Sequence, residues 1–364
     1  MSTAVPAGET DPAAALRTPA CDLLGVRYPI VQTGMGWVAG ARLTAATSAA
    51  GGLGILASAT MSLDELATAI AEVRTRTTGP FGVNLRTDVA DVHERIELMI
   101  ETGARVASFA QAPNAALVTR CKEAGLFVMP TVGARRHAEK VAEWGVDAVI
   151  AQGGEGGGHT GTVPTTLLLP QVVDAVGDRV LVLGAGGFYD GRGLVAALSY
   201  GAAGVAMGTR FLLSAESRVP DAVKALYLGT PVTGTVVTTK VDGAPQRVVR
   251  TDLVDHLESQ SWLRALPRAL RSAYTFRQET GATFSSLLRE GRAMKEGNDL
   301  TWAQVVMAAN APVMTKAALV EGHTDVGVLP TGQVVGVIES LPIVADIIAA
   351  VMNEADTVLR GFSV

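Results

Sequence analysis

A short apolar run followed by a longer amphipathic stretch recurs along this chain, eight times between Tyr28 and Gly208. The short runs are apolar throughout, as in strands that are buried on both faces. Strands that alternate with helices in this way form parallel sheets. Eight units in about 180 residues predict an α/β fold of the (β/α)8 TIM barrel type rather than an open doubly wound sheet. The predicted strands are YPIVQ, GILAS, FGVNL, RVASF, LFVMPT, DAVIAQ, RVLVLG and GVAMG.

Local signals mark the helices between these runs. The stretch SLDELATAIAEVR begins with Ser62 and Glu65 at the spacing of a capping box, in which each side chain bonds to a free amide of the first turn. The stretches RRHAEKVAEWG and GRGLVAALSYG both end on glycine, which is common just beyond the C-terminus of a helix. These signals favour helices between successive strands of the predicted barrel.

The alternation stops after Gly208. The sequence from about residue 240 to residue 320 has mostly helical patterns, and we interpret it as an inserted lid. Residues 334–358 are predicted to form a final helix that packs back on the barrel. The predicted organisation is a flexible N-terminal tail over 1–20, the barrel over 21–240, a helical substrate or lid domain over 241–320, and a C-terminal segment over 321–364 that returns to the barrel.

The charge balance argues against two classes of partner. A formal net charge of -5 gives no general attraction to nucleic acid or to an anionic membrane. The N-terminus lacks the basic and apolar regions of a secretory signal, and no apolar run reaches the roughly 20 residues that cross a bilayer. The two cysteines, Cys21 and Cys121, match no metal or redox spacing. We therefore expect a cytoplasmic protein without a metal site.

Residues 152–161, QGGEGGGHTG, follow the sixth predicted strand and contain six glycines. In TIM barrels the chemistry takes place in the loops that follow the strands. Glycines such as Gly158 leave bare backbone on which a planar ring could lie, and His159 would then project over that ring. For this loop taken alone, a flexible surface loop with an incidental histidine is the alternative interpretation.

Two more glycine-rich loops follow the next strands, GAGGFYDG after the seventh and GTRF after the eighth. The loops after strands seven and eight commonly form a phosphate site in this fold. Backbone amides at glycines can approach a phosphate closely, and a threonine hydroxyl adds a further donor. Three such loops at successive strand ends favour a site for a phosphate-bearing ring cofactor. The predicted phosphate contacts are Gly184, Gly186, Gly187, Gly208 and Thr209.

The sequence argues against a dinucleotide-binding fold. Residues 51–57, GGLGILA, have the glycine spacing, but the apolar run follows the glycines instead of preceding them. Residues 34–39, GMGWVA, do follow a predicted strand, but no acidic residue ends the next strand. A phosphate-binding P-loop sequence is also absent.

Five motifs, in this order, resemble those of the nitronate monooxygenase (2-nitropropane dioxygenase) family of FMN-dependent barrels: PIVQTGMGWVAG, FGVNLR, QGGEGGGHTG, GAGGFYDG and GVAMGTRFLLSAES. The resemblance covers about residues 22–340. Flavin-dependent enoyl reductases of fatty-acid synthesis share this architecture. The stretches VQTGMGWVAGARL, GTVVTTKVDGAPQRVVRT and LTWAQVVMAANAP are most similar to a branch of the family that acts on a bicyclic, indanone-type CoA thioester in bacterial steroid catabolism.

The resemblance implies FMN as the cofactor and makes 21–240 the FMN-binding barrel. His159 matches the catalytic histidine of the family's E-x-G-G-H element, in which the family usually has alanine at the position of Gly156. Gly34 and Met35 would face the flavin ring with backbone groups. The remaining implied contacts are Asn84 and Gln152 with the ring or ribityl chain, Gly186, Gly187, Gly208 and Thr209 with the phosphate, and Gln333 near the flavin.

Three functions are compatible with these residues. In the first, His159 removes the acidic α-proton of a cyclic acyl-CoA thioester while a hydride leaves the β-carbon, or the reverse reaction reduces an enoyl thioester. In the second, His159 takes a proton from a small nitro compound or orients it, as in a nitronate monooxygenase that uses O2. The third is a flavin-binding module without turnover, which would not need His159. We also expect NAD(P) as an electron partner and a homo-oligomeric assembly.

A basic segment favours the thioester hypothesis. Residues 260–295 contain seven basic and two acidic side chains in an otherwise acidic protein. Arginine binds phosphate in a bidentate manner, and CoA carries a pyrophosphate and a 3′-phosphate. The alternative is a solvated helix face, which is a common reason for runs of charge. The candidate CoA contacts are Arg264, Arg268, Arg271, Arg289, Arg292 and Lys295.

Overall fold

The computed structural model describes residues 16–87, 89–110, 113–259 and 310–362. Eight parallel strands form a closed barrel, which confirms the predicted TIM barrel. The first strand closes it by pairing with both the second and the last barrel strand. The strands in chain order are β1 Ile30–Gln32, β2 Leu53–Ala57, β3 Phe81–Leu85, β4 Val106–Phe109, β5 Phe127–Val132, β6 Ala148–Gln152, β7 Gly158–His159, β8 Leu181–Ala185, β9 Gly204–Met207, β10 Thr235–Thr238 and β11 Gln246–Val249, of which β7, β10 and β11 lie outside the barrel.

The helices between barrel strands begin and end where the local signals predict. The Ser62 amide donates to Glu65 Oε2 over 2.7 Å and the Glu65 amide donates to Ser62 Oγ over 3.2 Å, so the capping box is confirmed. The helices are α1 Pro19–Leu24, α2 Ala41–Ala49, α3 Leu63–Arg76, α4 Val92–Thr102, α5 Ala115–Glu123, α6 Arg135–Glu143, α7 Thr165–Val176, α8 Gly191–Ser199, α9 Thr209–Leu212, α10 Asp221–Leu228, α11 Asp252–Ser259, α12 Asn310–Leu319 and α13 Val344–Gly361, with a 3-10 turn at Gln333–Val337.

The N-terminal end of the barrel is closed by helix α1. Its residues Cys21 and Leu24 belong to the apolar cluster that also contains Val31 and Leu183 of the barrel strands. The Thr18 hydroxyl donates to the carbonyl of Ala203, directly before β9. Because this end is filled by apolar side chains, a ligand site is restricted to the opposite end, where the strands finish.

A second, three-stranded sheet lies beside the barrel. Strands β10 and β11 form an antiparallel hairpin, and β11 pairs with the short strand β7 of the glycine-rich loop. In this register Gln246 lies opposite His159 and Arg247 lies opposite Gly158. The sheet therefore holds the loop after β6 against a segment that is almost ninety residues later in the chain.

The C-terminal helix begins later than predicted. Residues 334–358 were expected to be helical, whereas Gln333–Val337 is a 3-10 turn and α13 starts at Val344. Pro342 explains the difference, because proline lacks an amide proton and disfavours helical backbone in the residue before it. The helix contacts the start of α8, where Gly191 donates its amide to Glu354 over 2.7 Å.

Two of the predicted domains, the N-terminal tail and the lid, lie partly outside the described residues. Residues 1–15 of the proposed tail lie outside them, whereas Leu16 and Ala20 are buried and α1 already begins at Pro19. Residues 260–309 of the proposed lid also lie outside them. At the edges of the proposed lid the structure has strand β11 and helices α11 and α12. In the described part of the chain, no helix is both long and apolar enough to cross a membrane.

Candidate active site

His159 lies on β7, in the loop that follows the sixth barrel strand. Its carbonyl oxygen accepts a hydrogen bond of 2.8 Å from Gln152 Nε2, at the end of β6. The following residue, Thr160, donates its amide to the Pro245 carbonyl over 3.1 Å and its hydroxyl to the Gly153 carbonyl over 3.1 Å. The histidine backbone is thus fixed on both sides, while 62% of its side chain is exposed.

The imidazole of His159 contacts one carboxylate. His159 Nε2 lies 2.7 Å from Asp242 Oδ2, and the Asp242 side chain is only 8% exposed. Asp242 lies in the turn between β10 and β11, where its other oxygen accepts the Ala244 amide over 3.0 Å. The histidine is therefore reachable from solvent on one side and tied to an almost buried carboxylate on the other.

The Asp242 carboxylate is held in its ionised form. Burial by itself raises the pKa of Asp242. The hydrogen bond and the charge of His159, together with the hydrogen bond from the Ala244 amide, outweigh this effect, so that the pKa of Asp242 lies below its ordinary value. A carboxylate that stays ionised can accept a proton-bearing imidazole nitrogen and stabilise an imidazolium.

Glu155, the acidic residue of the loop after β6, has a structural role. Its carboxylate accepts the Thr165 amide over 2.9 Å and the Thr165 hydroxyl over 2.7 Å at the start of α7, and its carbonyl accepts the Gln333 amide over 3.0 Å. Arg247 donates to the Gly154 carbonyl over 2.9 Å. These bonds fix the loop from three directions, so the proposed flexible surface loop is not what the structure shows.

At two glycines of this loop a side chain would collide with a neighbouring group. A Cβ at Gly157 would lie 2.4 Å from the Thr331 carbonyl carbon and 2.5 Å from the Gly332 nitrogen. A Cβ at Gly156 would lie 2.7 Å from Gln152 Nε2. Side chains at these two positions would push the loop away from Gln152 and from the segment that precedes Gln333.

The proposed phosphate residues lie together around the ends of β8 and β9. Gly186 and Gly187 have φ of 89° and 87°, which favours glycine. Thr209 is buried, and its hydroxyl accepts the Gly332 amide over 2.8 Å and lies 3.3 Å from Thr331 Oγ1. Gly184 differs: it lies within β8, where a Cβ would be 2.8 Å from both Leu169 and Phe188, so close packing explains this glycine and its phosphate contact stays a prediction.

The residues assigned to the flavin ring also meet at this end of the barrel. A Cβ at Gly34 would lie 2.3 Å from Asn84 Cβ, so the loop after β1 lies directly on the end of β3. Asn84 is buried and donates to Ser108 Oγ over 3.3 Å. Met35 lies beside Gly208, since a Cβ at Gly208 would be 3.5 Å from Met35 Sδ. The structure therefore links Gly34, Met35 and Asn84 with the β9 loop.

The mouth of the barrel is lined by backbone that a planar group could approach. A Cβ would meet no atom within 4 Å at Gly158, only Gln152 O at 3.9 Å from Gly133, and only Glu155 Cβ at 3.9 Å from Gly187. These glycines follow β5, β6 and β8 and leave open space where side chains would project. A flavin with one phosphate fits this combination of bare backbone, a threonine hydroxyl and one exposed imidazole.

The sequence did not identify Asp242 as a residue of this site. Asp242 was missed although Asp-Gly between TVVT and QRVV is a hairpin signal. It also did not predict the backbone of Trp37, two residues after Met35, whose φ of 64° is in the region that favours glycine and whose carbonyl accepts Arg218 Nε over 2.8 Å. The six candidate CoA contacts lie outside the described residues, namely Arg264, Arg268, Arg271, Arg289, Arg292 and Lys295.

Metal chemistry finds no support in the described residues. No group of three His, Cys, Asp or Glu side chains among them is arranged to hold a metal ion. The chemistry that the described site offers is proton transfer by His159, supported by Asp242, next to a backbone-lined space.

Comparison with known proteins finds relatives over nearly the whole chain. The family model for nitronate monooxygenase matches residues 17–354. A dehydrogenase of Mycobacterium tuberculosis, named for (3aS,4S,5R,7aS)-5-hydroxy-7a-methyl-1-oxo-octahydro-1H-indene-4-carboxyl-CoA, is 60% identical over 349 residues, which cover 96% of this chain and 98% of the relative. A dehydrogenase of the same name from Rhodococcus jostii is 57% identical, over 93% of this chain and 96% of the relative.

Solved structures have the same fold. FabK from Thermotoga maritima superposes with a TM-score of 0.77 at 33% identity, over 95% of this chain and 98% of that chain. A nitroalkane oxidase from Streptomyces ansochromogenes superposes with a TM-score of 0.71 at 26% identity, over 93% of this chain and 99% of that chain. The similarity therefore extends over nearly the whole length of each protein.

Proposed function

Because this chain belongs to the nitronate monooxygenase family and is an oxidoreductase with a flavin cofactor, we propose that it introduces or reduces a C=C bond in a cyclic acyl-CoA thioester during steroid ring degradation. The observation that carries the proposal is the 60% identity to a relative named as an indene-carboxyl-CoA dehydrogenase. The exposed His159 beside an ionised Asp242 supports it, because such a step needs a base for the α-proton.

In this proposal, separate residues transfer the proton, contact the flavin ring and bind its phosphate. The thioester acidifies the α-carbon, and His159 removes or returns the proton at that position. Backbone at Gly34, Met35 and Gly158 would face the ring, with Asn84, Gln152 and Gln333 at its edges. The phosphate would be held by Gly186, Gly187, Gly208 and the Thr209 hydroxyl. FMN, when bound, supplies the hydride chemistry.

An anaerobic titration tests this function. We expect acyl-CoA or enoyl-CoA thioesters with a cyclic acyl group to change the absorbance of the bound flavin. In the direction of dehydrogenation, acyl-CoA thioesters should bleach the oxidised flavin. In the direction of reduction, enoyl-CoA thioesters should restore the absorbance of the reduced flavin. A flavin spectrum that stays unchanged with both classes of thioester, in both redox states, would contradict the proposal.

Nitronate oxidation is the second candidate function. Relatives named as probable nitronate monooxygenases are 30–32% identical, and the nitroalkane oxidase superposes over nearly the whole chain. In that reaction His159 would take a proton from a small nitro compound or orient it. Turnover of nitroalkanes with O2 and no response to thioesters would favour this candidate.

The flavin should be FMN. The glycine-rich loops after β8 and β9 offer contacts for one phosphate group, and no adenylate-binding fingerprint is present in the sequence. We expect the purified protein to be yellow and to release FMN when it is denatured, as measured by chromatography of the released flavin. Release of FAD, or a colourless protein that takes up no flavin, would contradict this assignment.

Gly186→Ala should weaken FMN binding. Its φ of 89° and the distance of 3.0 Å from a Cβ to Gly153 O and Thr165 Oγ1 force the backbone to shift. Alanine in this conformation costs about 1–2 kcal/mol, which corresponds to roughly 5- to 30-fold weaker binding if the strain is relieved at the phosphate loop. Fluorescence titration of the apoprotein with FMN measures the change.

Gly145→Ala is the matched control. Its φ is 80°, a Cβ there meets no atom within 4 Å, and it lies before β6 at the other end of the barrel. We expect a similar loss of thermal stability in both variants but a loss of FMN affinity only in Gly186→Ala. Equal FMN affinity in the two variants would remove Gly186 from the phosphate site.

Three further expectations belong to this proposal. NAD(P) would be the electron partner of the flavin, and the protein would assemble as a homo-oligomer. The protein would be cytoplasmic, which suits its two cysteines, because both are buried and neither forms a disulfide.

A further inference from the structure

The carboxylate of Asp242 restricts which nitrogen of His159 can take part in proton transfer. A carboxylate that is ionised has only acceptor atoms. Since Asp242 Oδ2 lies 2.7 Å from His159 Nε2, the proton of this hydrogen bond must belong to Nε2. In the neutral imidazole the second nitrogen, Nδ1, then carries the lone pair.

The position of Asp242 makes this assignment stable. Its side chain is almost buried, and its second oxygen is occupied by the Ala244 amide. Its turn is joined to His159 by the β7–β11 pairing, in which Gln246 lies opposite His159. The sheet therefore fixes the contact between the Asp242 carboxylate and the His159 ring.

We propose that Asp242 is a positioning residue that holds His159 in the Nε2–H form, so that Nδ1 is the atom that exchanges the α-proton with the substrate. This inference rests on the proposed function for the identity of the proton. In the direction of dehydrogenation, the α-proton would move to Nδ1, and FMN, when bound, would supply the acceptor for the β-hydride. The resulting imidazolium lies against the Asp242 carboxylate and later returns its proton to water.

Three other charged residues belong to the segments around β7, namely Glu155, Arg247 and Lys240. On the same loop, the Glu155 carboxylate is bonded to Thr165. On β11, the Arg247 guanidinium is bonded to the Gly154 carbonyl and to Thr235. Lys240 lies two residues before Asp242 in the hairpin turn. Among the described residues, Asp242 is the ionised group in contact with the His159 ring.

The tautomer can be measured without any substrate. In ¹⁵N-histidine-labelled, FMN-loaded protein, the signals of His159 are identified as those that vanish in His159→Ala. At a pH where the ring is neutral, we expect the protonated nitrogen to be Nε2, with a bound proton that is protected from exchange by Asp242. A protonated Nδ1 in the wild-type protein would overturn the proposal.

Asp242→Asn tests the role in turnover. The amide can both donate and accept, so it no longer selects one tautomer and no longer neutralises an imidazolium. We expect the protected Nε2 proton to be lost and kcat to fall about 10- to 100-fold, less than for a fully buried pair because His159 is exposed. KM and FMN affinity should stay close to wild type. Asp178→Asn, at an exposed carboxylate, is the control and should behave like wild type.

These measurements test the positioning role of Asp242 separately from the proposed function. Unchanged kcat in a folded Asp242→Asn variant would overturn the positioning role. If that variant fails to fold, the tautomer of the wild-type protein still decides the assignment. A protected Nε2 proton in a protein that converts no thioester would contradict the proposed function and leave the assignment of the tautomer standing.

Discussion

His159→Ala is expected to retain FMN and to lose turnover of the CoA thioester by about 10²- to 10⁴-fold, the usual contribution of a general acid or base. The side chain contacts Asp242, whereas its backbone bonds to Gln152 and pairs with β11. Truncation at Cβ therefore removes the imidazole and leaves the loop in place. Steady-state kinetics and an FMN titration on the same preparation measure both properties.

His137→Ala is the control for this variant. His137 lies on helix α6, where its ring accepts a hydrogen bond of 3.3 Å from Arg136 Nε. Its removal should change neither turnover nor FMN binding. Turnover of His159→Ala within a factor of two of wild type would exclude His159 from proton transfer. Loss of FMN from His159→Ala would instead give the histidine a role in holding the cofactor.

The barrel could be predicted because its strands are buried on both faces. Phe81–Leu85 is buried at every position. All of its residues are apolar or small except Asn84. Continuous runs of this kind, separated by helical patterns, predict parallel strands. Asn84 and Gln152 interrupt the pattern at strand ends, which is where the structure has the candidate site.

The second sheet could not be predicted in the same way. Strand β7 has only two residues, Gly158 and His159, and a segment of this length has no measurable periodicity. It becomes a strand because β11, far away in sequence, pairs with it. The hairpin itself did have a local signal, since Gly243 with φ of 88° follows Asp242 between two β-branched runs. Its pairing partner had none.

Basic residues of the segment 260–295 should determine the affinity for the CoA thioester. Their sequence contains seven basic side chains against two acidic ones, and the structure leaves them outside its described residues. Truncating a side chain that binds a CoA phosphate removes a charge-assisted hydrogen bond of about 1.5–3 kcal/mol. This corresponds to a rise in KM of roughly 10- to 150-fold. The variants replace, one at a time, Arg264, Arg268, Arg271, Arg289, Arg292 and Lys295 with alanine.

The size of the effect on kcat distinguishes binding from chemistry. A contact with a phosphate remote from the reacting carbons holds substrate and transition state equally, so kcat should stay unchanged while KM rises. The rise in KM at low salt should exceed that at high salt, because salt screens exposed charges. Arg135→Ala on helix α6 is the matched control, since this exposed arginine pairs with Glu139 on the outside of the barrel.

Parallel assays with a small nitroalkane complete the test. A nitro compound has no phosphate to bind, so its turnover should not respond to any of the six substitutions. Higher KM for thioesters in at least one variant, with unchanged nitroalkane kinetics, would support CoA recognition by this segment. If none of the six variants changes thioester kinetics while nitroalkanes are turned over well, the CoA hypothesis is wrong. Nitronate oxidation by the same His159 would then be the better account of the site.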